Sequence, residues 1–160
     1  ERGRPQAPSE DWFTEQYDAL VAELVTLTPR VVCVTLPPLG EDASGQAEAI
    51  VRRQNEAIRA IAAARGVDLL DAHPAMLRLR PDPGESPGVP FMSGLSQFMA
   101  WGIASILRHR ILGQSWDRIA QRRGLVITAD TIHPSDRGGE VLIELVEPWA
   151  RQALSEGSRP

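Results

Sequence analysis

Val31-Val32-Cys33-Val34-Thr35-Leu36-Pro37-Pro38-Leu39-Gly40 is the stretch that decides the fold. Its first six residues are continuous, apolar apart from one threonine, and rich in β-branched side chains. Such a run is typical of a strand that is buried on both faces. Two prolines and a glycine then end the strand. Strands buried in this way belong to parallel sheets, so we expect a parallel α/β arrangement.

The segments around this strand support that arrangement. Upstream, helical spacing of apolar residues predicts a helix over 10–27, and Ser9 can cap its first turn. Downstream, a second helix is predicted over 45–65 with Gly66 just past its end, and a short apolar strand follows over 67–70. Alternation of helix and strand predicts right-handed crossovers. The apolar stripe of the second helix is expected to consist of Ile50, Ala57, Ile58, Ile61 and Ala64.

The second half of the chain is predicted to be mainly helical. Residues 81–90 contain four prolines and two glycines and are expected to form a loop. The strongly apolar segment 91–112 is expected to form one or two helices, and Ser115 caps a further short helix that Gly124 ends. Residues 125–128 form a short strand or an extended lead-in to the segment that follows.

Composition limits the functional classes. The chain has 160 residues, of which 42% are apolar and 24% charged, as in a globular protein of one domain. Its net charge of -4 argues against nucleic-acid binding through a basic face. The single cysteine, Cys33, excludes an internal disulfide and lies in an apolar run, which favours a small buried side chain. No apolar run is long enough for a membrane span, and the lack of a recognisable signal peptide favours the cytoplasm.

The segment from Thr128 to Gly139 carries the chemistry. Asp130 precedes His133 by three residues, just ahead of an amphipathic helix that follows Asp136 and contains Pro148. On a tight turn this spacing lets the carboxylate reach the Nδ1–H of the imidazole, which leaves Nε2 to act as a general base. The alternative is a capping aspartate beside a surface histidine.

The same segment resembles the C-terminal block of the SGNH, or GDSL, hydrolase family. The match is Asp130-Thr131-Ile132-His133-Pro134, followed by a polar residue, a glycine and a terminal helix. The order of elements upstream is also similar, so the resemblance covers a domain over 9–154, in which 81–124 is an insertion and a possible lid. Residues 1–8 are expected to be a disordered lead or loop, and residues 155–160 a tail.

This resemblance implies a flavodoxin-like three-layer α/β/α fold with a parallel sheet. It also implies hydrolysis of a small-molecule ester by a serine nucleophile, with His133 as the base and Asp130 as the residue that orients it. No cofactor is needed for this chemistry.

The sequence departs from the family at the nucleophile. It contains no Gly-Asp-Ser block and no Gly-x-Asn block, and its one asparagine, Asn55, lies in the middle of a predicted helix. Because position 1 is Glu1, we expect this chain to be the C-terminal part of such an enzyme, without its N-terminal strands and inactive alone. An exposed sheet edge would then favour self-association. The rival hypothesis is an inactive remnant or an interaction module of the same fold.

Other candidate residues are weaker. His73 follows Asp71 at the end of a strand, where a turn is favoured over a site, and His109 is expected at a solvated helix end. Three histidines with scattered carboxylates form no metal signature, so no metal site is predicted. Segment 91–112 is either a helix pair that packs in the core or a lid or acyl-chain wall. Three serines could be considered as substitutes for the missing nucleophile, namely Ser93, Ser96 and Ser115. None of them is expected at a strand-to-helix turn.

Overall fold

The computed structural model describes residues 9–80, 88–91 and 94–157. Two strands pair in parallel, with Cys33 opposite Leu69, and six helices surround or follow them. This confirms the expected mixed α/β arrangement with a parallel sheet. The elements in chain order are α1 (Glu10–Leu27), β1 (Val32–Val34), α2 (Gln46–Arg65), β2 (Asp68–Leu70), α3 (Ala72–Leu77), α4 (Leu95–Leu112), α5 (Trp116–Gln121) and α6 (Asp136–Gly157).

Some expectations fall on residues outside the described ranges. These are the lead over 1–8, residues 81–87 of the proline-rich loop, Ser93, and 158–160 of the expected tail. The part of the tail that is described, 155–157, is helical, because α6 continues through it.

The start of α1 and the end of α2 lie where the sequence predicted them. The Ser9 hydroxyl accepts a hydrogen bond from the Trp12 backbone N–H, which satisfies one of the donors at the start of α1. Gly66 ends α2 in the left-handed conformation with φ of 64°, and its N–H donates to the carbonyl groups of Ala62 and Ala63. A side chain at this position would be strained, which explains the glycine.

The core lies where α1 and α2 pack against β1. Its buried apolar side chains form one cluster: Val21, Cys33, Ile58, Ile61 and Ala62. Cys33 is therefore a small buried side chain, as its apolar setting predicted. Tyr17 packs against the same cluster, and burial, together with a hydrogen bond to Cys33, raises the pKa of Tyr17 to about 12.

Two expectations about burial were wrong. The first concerns α2, in which Ile50 and Ala64 are exposed while Glu48 and Asn55 lie on the buried face. The second concerns β1, in which Cys33 is buried but Val32 and Val34, on the opposite face, are only partly buried, so this strand is not fully buried on both faces. A sheet of two short strands offers too little surface for helices to cover both faces completely.

Polar side chains hold the carboxyl ends of both strands. The Asn55 amide pairs with the Leu36 backbone, accepting from its N–H at 2.7 Å and donating to its carbonyl at 3.0 Å. The Thr35 hydroxyl donates to Asp71, and Arg59 donates two hydrogen bonds to the same carboxylate. These contacts explain why polar residues lie on the inner face of α2, and they fix the point at which the chain leaves β1.

Asp71 is expected to make the stability of the fold depend on pH. The Arg59 guanidinium holds the pKa of Asp71 below its ordinary value, so the stabilisation is present at neutral pH and is lost as pH falls through the lowered pKa. We expect Asp71→Asn to lower the free energy of unfolding by about 1 kcal/mol at pH 7, and the difference to be smaller at pH 2, where Asp71 is protonated to a greater extent. Urea unfolding followed by circular dichroism at both pH values measures this.

The control for Asp71 is Glu147→Gln, which breaks an exposed pair with Arg151 inside α6. We expect no measurable change from this control at either pH. A difference between Asp71→Asn and the parent chain that persists undiminished at pH 2 would show that Asp71 acts through packing rather than charge.

The helix α4 carries apolar side chains that the core does not cover. All of them are at least half exposed: Met99, Ile103, Ile106, Leu107, Ile111 and Leu112. Segment 91–112 was interpreted either as a helix pair that packs in the core or as a lid or acyl-chain wall. Packing in the core does not account for these exposed side chains. Within the described residues, none of the helices combines the length and the apolar composition that a membrane span requires.

Candidate active site

The structure brings Asp130 and His133 together on the turn that precedes α6. Their Nδ1···Oδ2 distance is 2.8 Å, and the other oxygen, Oδ1, accepts from the backbone N–H groups of His133 at 2.8 Å and Ile132 at 3.2 Å. The Asp130 side chain is 9% exposed and that of His133 66% exposed. A buried carboxylate therefore orients an imidazole that solvent can reach, which is the geometry of a general base and its partner.

The turn is held in an uncommon backbone conformation. Thr131 lies fully buried with φ of 74°, which is costly for a β-branched residue and persists when the surroundings enforce it. Its carbonyl accepts from the Gly40 N–H at 2.8 Å, and the Ala129 N–H donates to the His133 carbonyl across the turn. Gly40 itself has φ of 69°, and a Cβ there would lie 2.6 Å from the Phe91 backbone nitrogen.

Glu41 holds the segment that leads into the site, although it was not among the candidate residues predicted from the sequence. Its carboxylate is buried and accepts from the backbone N–H groups of Val126, Ile127 and Thr128 at 2.6–3.0 Å. The lead-in over 125–128 is therefore curved and forms no strand: residues 126–127 are bends, and Thr128 pairs with Pro134. The expectation of a short strand or an extended lead-in was wrong, because three successive N–H groups converge on one carboxylate only where the backbone bends. The one local signal was an acidic residue directly after the Pro-Pro-Leu-Gly exit of β1.

Arg123 connects this turn to α4. Its guanidinium donates to the Ala129 carbonyl at 2.9 Å, to the Ser105 hydroxyl at 2.8 Å and to the Trp101 carbonyl at 3.1 Å. It also lies 4.3 Å from the centre of the Trp101 ring. Burial, and then the Arg108 charge, lower the pKa of Arg123, which Asp130 opposes. The cation therefore ties the wall formed by α4 to the residue next to Asp130.

The start of α6 is fixed behind the histidine. The Ser135 hydroxyl caps the helix by accepting a hydrogen bond from the Gly138 N–H. A Cβ at Gly138 would lie 2.4 Å from the Ile127 carbonyl oxygen, so the close approach requires glycine. Asp136 instead accepts from the Asp117 N–H, which joins the first turns of α5 and α6.

A cavity of about 560 Å³ opens at this turn. Its size falls within the usual range of small-molecule sites. Three of its described lining residues belong to the turn and the rest come from α4 and α5: Met99, Gly102, Ile103, Ser105, Ile106, Trp116, Asp130, His133 and Pro134.

The remaining candidates have structural positions. His73 is buried in α3, where Nε2 lies 2.8 Å from a carboxylate oxygen of Glu48, so the expected turn is the first part of a short helix. His109 lies near the end of α4, where its Nδ1 is 2.9 Å from the Gln114 carbonyl oxygen. Ser115 caps α5, and Ser96 lies in the first turn of α4. Across the described ranges no group of three or more metal-ligating side chains comes together.

Comparisons with known proteins agree with the fold. No protein-family model matches the chain, and no curated protein matches it. The structure is similar to that of LAE5, an alpha/beta hydrolase enzyme from the metagenome of Lake Arreo, Spain, with a TM-score of 0.55 and 15% identity. The match covers 90% of this chain and 48% of LAE5, so the chain spans about half the length of that protein. At this identity the likeness shows a shared mixed α/β fold.

Proposed function

We propose that this chain supplies the histidine and the acid of a serine-dependent ester hydrolase of the SGNH type. The observation that carries the proposal is the 2.8 Å contact of His133 Nδ1 with the buried Asp130 carboxylate, beside a cavity of substrate size. A chain with a similar fold, LAE5, is described as a hydrolase, which supports the same class of reaction.

The proposed mechanism uses the two nitrogens of His133 differently. Nδ1–H donates to Asp130, so Nε2 takes the proton of a serine hydroxyl as that oxygen attacks the acyl carbon of the ester. Asp130 stabilises the imidazolium that forms. His133 then protonates the leaving alcohol, and in the second half of the cycle it activates the water that releases the acid. No cofactor takes part.

The serine and the oxyanion donors need a further segment. Neither the Gly-Asp-Ser nor the Gly-x-Asn block occurs in the 160 residues. In the proposal this segment also adds strands beside β1, which within the described ranges pairs with β2, and it completes a three-layer flavodoxin-like fold. Within the described ranges the two-stranded sheet has an open edge, and we therefore expect the chain as given to self-associate on size-exclusion chromatography.

The test compares two proteins. The chain as given is expected to show no turnover of 4-nitrophenyl acetate above buffer, because its sequence lacks the Gly-Asp-Ser block that supplies the nucleophile in this proposal. The same residues expressed with the reading frame upstream of Glu1 are expected to hydrolyse the ester and to lose activity on treatment with a serine-directed phosphonate. Turnover by the chain alone that disappears in His133→Ala would contradict the proposal. So would a start codon close to Glu1, and a folded longer protein without activity would favour an inactive remnant.

A further inference from the structure

We propose that the cavity beside His133 binds the uncharged alkyl chain of an acyl group of roughly eight carbons. This inference rests on the proposed function, since it names the substrate class of that same site. It follows from the face that α4 presents to the cavity, from the polarity of the lining, and from the way in which α4 is held.

The α4 residues in the lining of the cavity lie along one side of the helix. Met99, Gly102, Ile103 and Ile106 follow the spacing i, i+3, i+4, i+7, so they form one stripe along the helix. An apolar stripe of this kind ordinarily packs against a core. Here the three larger side chains are 52–55% exposed, and the stripe faces the cavity that contains His133.

The polarity of the cavity lining also favours an alkyl chain. Among the described lining residues, the polar side chains are Ser105, Asp130 and His133. The Ser105 hydroxyl donates to the Trp101 carbonyl and accepts from Arg123, and Asp130 is engaged with His133. This part of the lining holds no arginine for an anionic substrate group and few hydroxyl or amide groups for a sugar. An alkyl chain is the ligand chemistry that it suits.

The wall of the cavity that α4 forms is held in place before any ligand binds. Arg123 fixes α4 through Trp101 and Ser105 and holds the Ala129 carbonyl with the same guanidinium. The apolar stripe and the turn with His133 are thus parts of one hydrogen-bonded unit. A site that exists before the ligand arrives binds with a smaller loss of conformational entropy.

The length of the stripe sets the length of the chain. Met99 and Ile106 are seven residues apart, which corresponds to about 10 Å along a helix. An extended alkyl chain advances by roughly 1.3 Å for each carbon–carbon bond of about 1.5 Å. About eight carbons therefore span the stripe.

The test uses the chain as given, with methyl ketones of four to ten carbons as probes. These compounds carry a carbonyl and an alkyl chain but no ester bond, and Trp116 fluorescence reports their binding, with Trp116→Phe to assign the signal. We expect affinity to rise roughly three- to fourfold for each added CH₂ group, up to about eight carbons.

The deciding variant is Gly102→Leu. A Cβ at Gly102 meets nothing within 4 Å, so leucine enters the cavity without a backbone clash and raises helix propensity. We expect it to weaken binding of the longest ketone more than tenfold. The matched control is Gly139→Leu, at a helical glycine of α6 with equally open surroundings, which is expected to bind like the parent chain.

The outcomes separate this inference from the function on which it rests. Affinity that does not depend on chain length, or equal effects of Gly102→Leu and Gly139→Leu, would overturn the alkyl site. Ester hydrolysis by the longer protein without any preference among acyl lengths would also overturn it and leave the proposed function standing. Ketone binding as expected, with no ester hydrolysis by the longer protein, would support the alkyl site and contradict the proposed function.

Discussion

Asp130→Asn is expected to lower the kcat of the ester-hydrolysing protein about 10⁴-fold. Asparagine keeps an oxygen for the backbone N–H groups of Ile132 and His133, so the turn is expected to survive. Its NH₂ group, however, donates toward His133 Nδ1, which places the ring proton on Nε2. A protonated Nε2 cannot accept the serine proton, so the base is lost although the geometry remains.

Three further variants sharpen this prediction. His133→Ala is expected to lower kcat by a similar factor, and the double variant is expected to be no worse than either single one, because the two residues act as a unit. His109→Gln is the matched histidine control and is expected to retain activity, since His109 is not among the described lining residues of the cavity. Additive losses in the double variant would contradict the pairing of Asp130 with His133. Steady-state kinetics, with circular dichroism to verify folding, measures all four proteins.

Glu41→Ala is expected to destabilise the chain by about 4 kcal/mol, because it leaves three backbone N–H groups without their acceptor. Those groups belong to Val126, Ile127 and Thr128, of which the last two are buried. Urea unfolding followed by circular dichroism gives the change in the free energy of unfolding.

The controls for Glu41 vary the acceptor and the position. Glu41→Gln keeps one oxygen and loses the charge, so we expect about half of the loss that alanine causes. Glu140→Ala removes an exposed glutamate from α6 and is expected to change stability by less than about 0.5 kcal/mol. Equal stability of Glu41→Ala and Glu140→Ala would show that the lead-in does not depend on this carboxylate.

The features that could be predicted from sequence are local ones. The caps at Ser9 and Gly66 depend on residues within one helical turn, and the contact of Asp130 with His133 depends on a spacing of three residues. Each of these is set by backbone geometry over a few positions, so the pattern in the sequence suffices. The order of the helices and strands followed from hydrophobic periodicity for the same reason, except for α3, where a turn was expected.

The features that could not be predicted join distant parts of the chain. Asn55 was interpreted as a residue in the middle of a helix, yet its amide holds the Leu36 backbone 19 residues away. His73 was expected on a turn, and it is buried against Glu48, 25 residues earlier. In both cases a polar group lies on the inner face of α2 because a partner meets it there, and the partner is fixed by tertiary packing. Hydrophobic periodicity alone cannot identify such positions.

The contact of Glu41 with the lead-in also bears on the order in which the chain acquires its structure. Glu41 is separated by 85–87 residues from the N–H groups that it accepts from. During synthesis it leaves the ribosome long before Thr128 is made, and a carboxylate without partners stays in water because burial would be costly. The helices and strands of the first half have partners much nearer in sequence and can form early. The turn that carries Asp130 and His133 therefore takes its shape late, when Glu41 first meets the segment over 126–128.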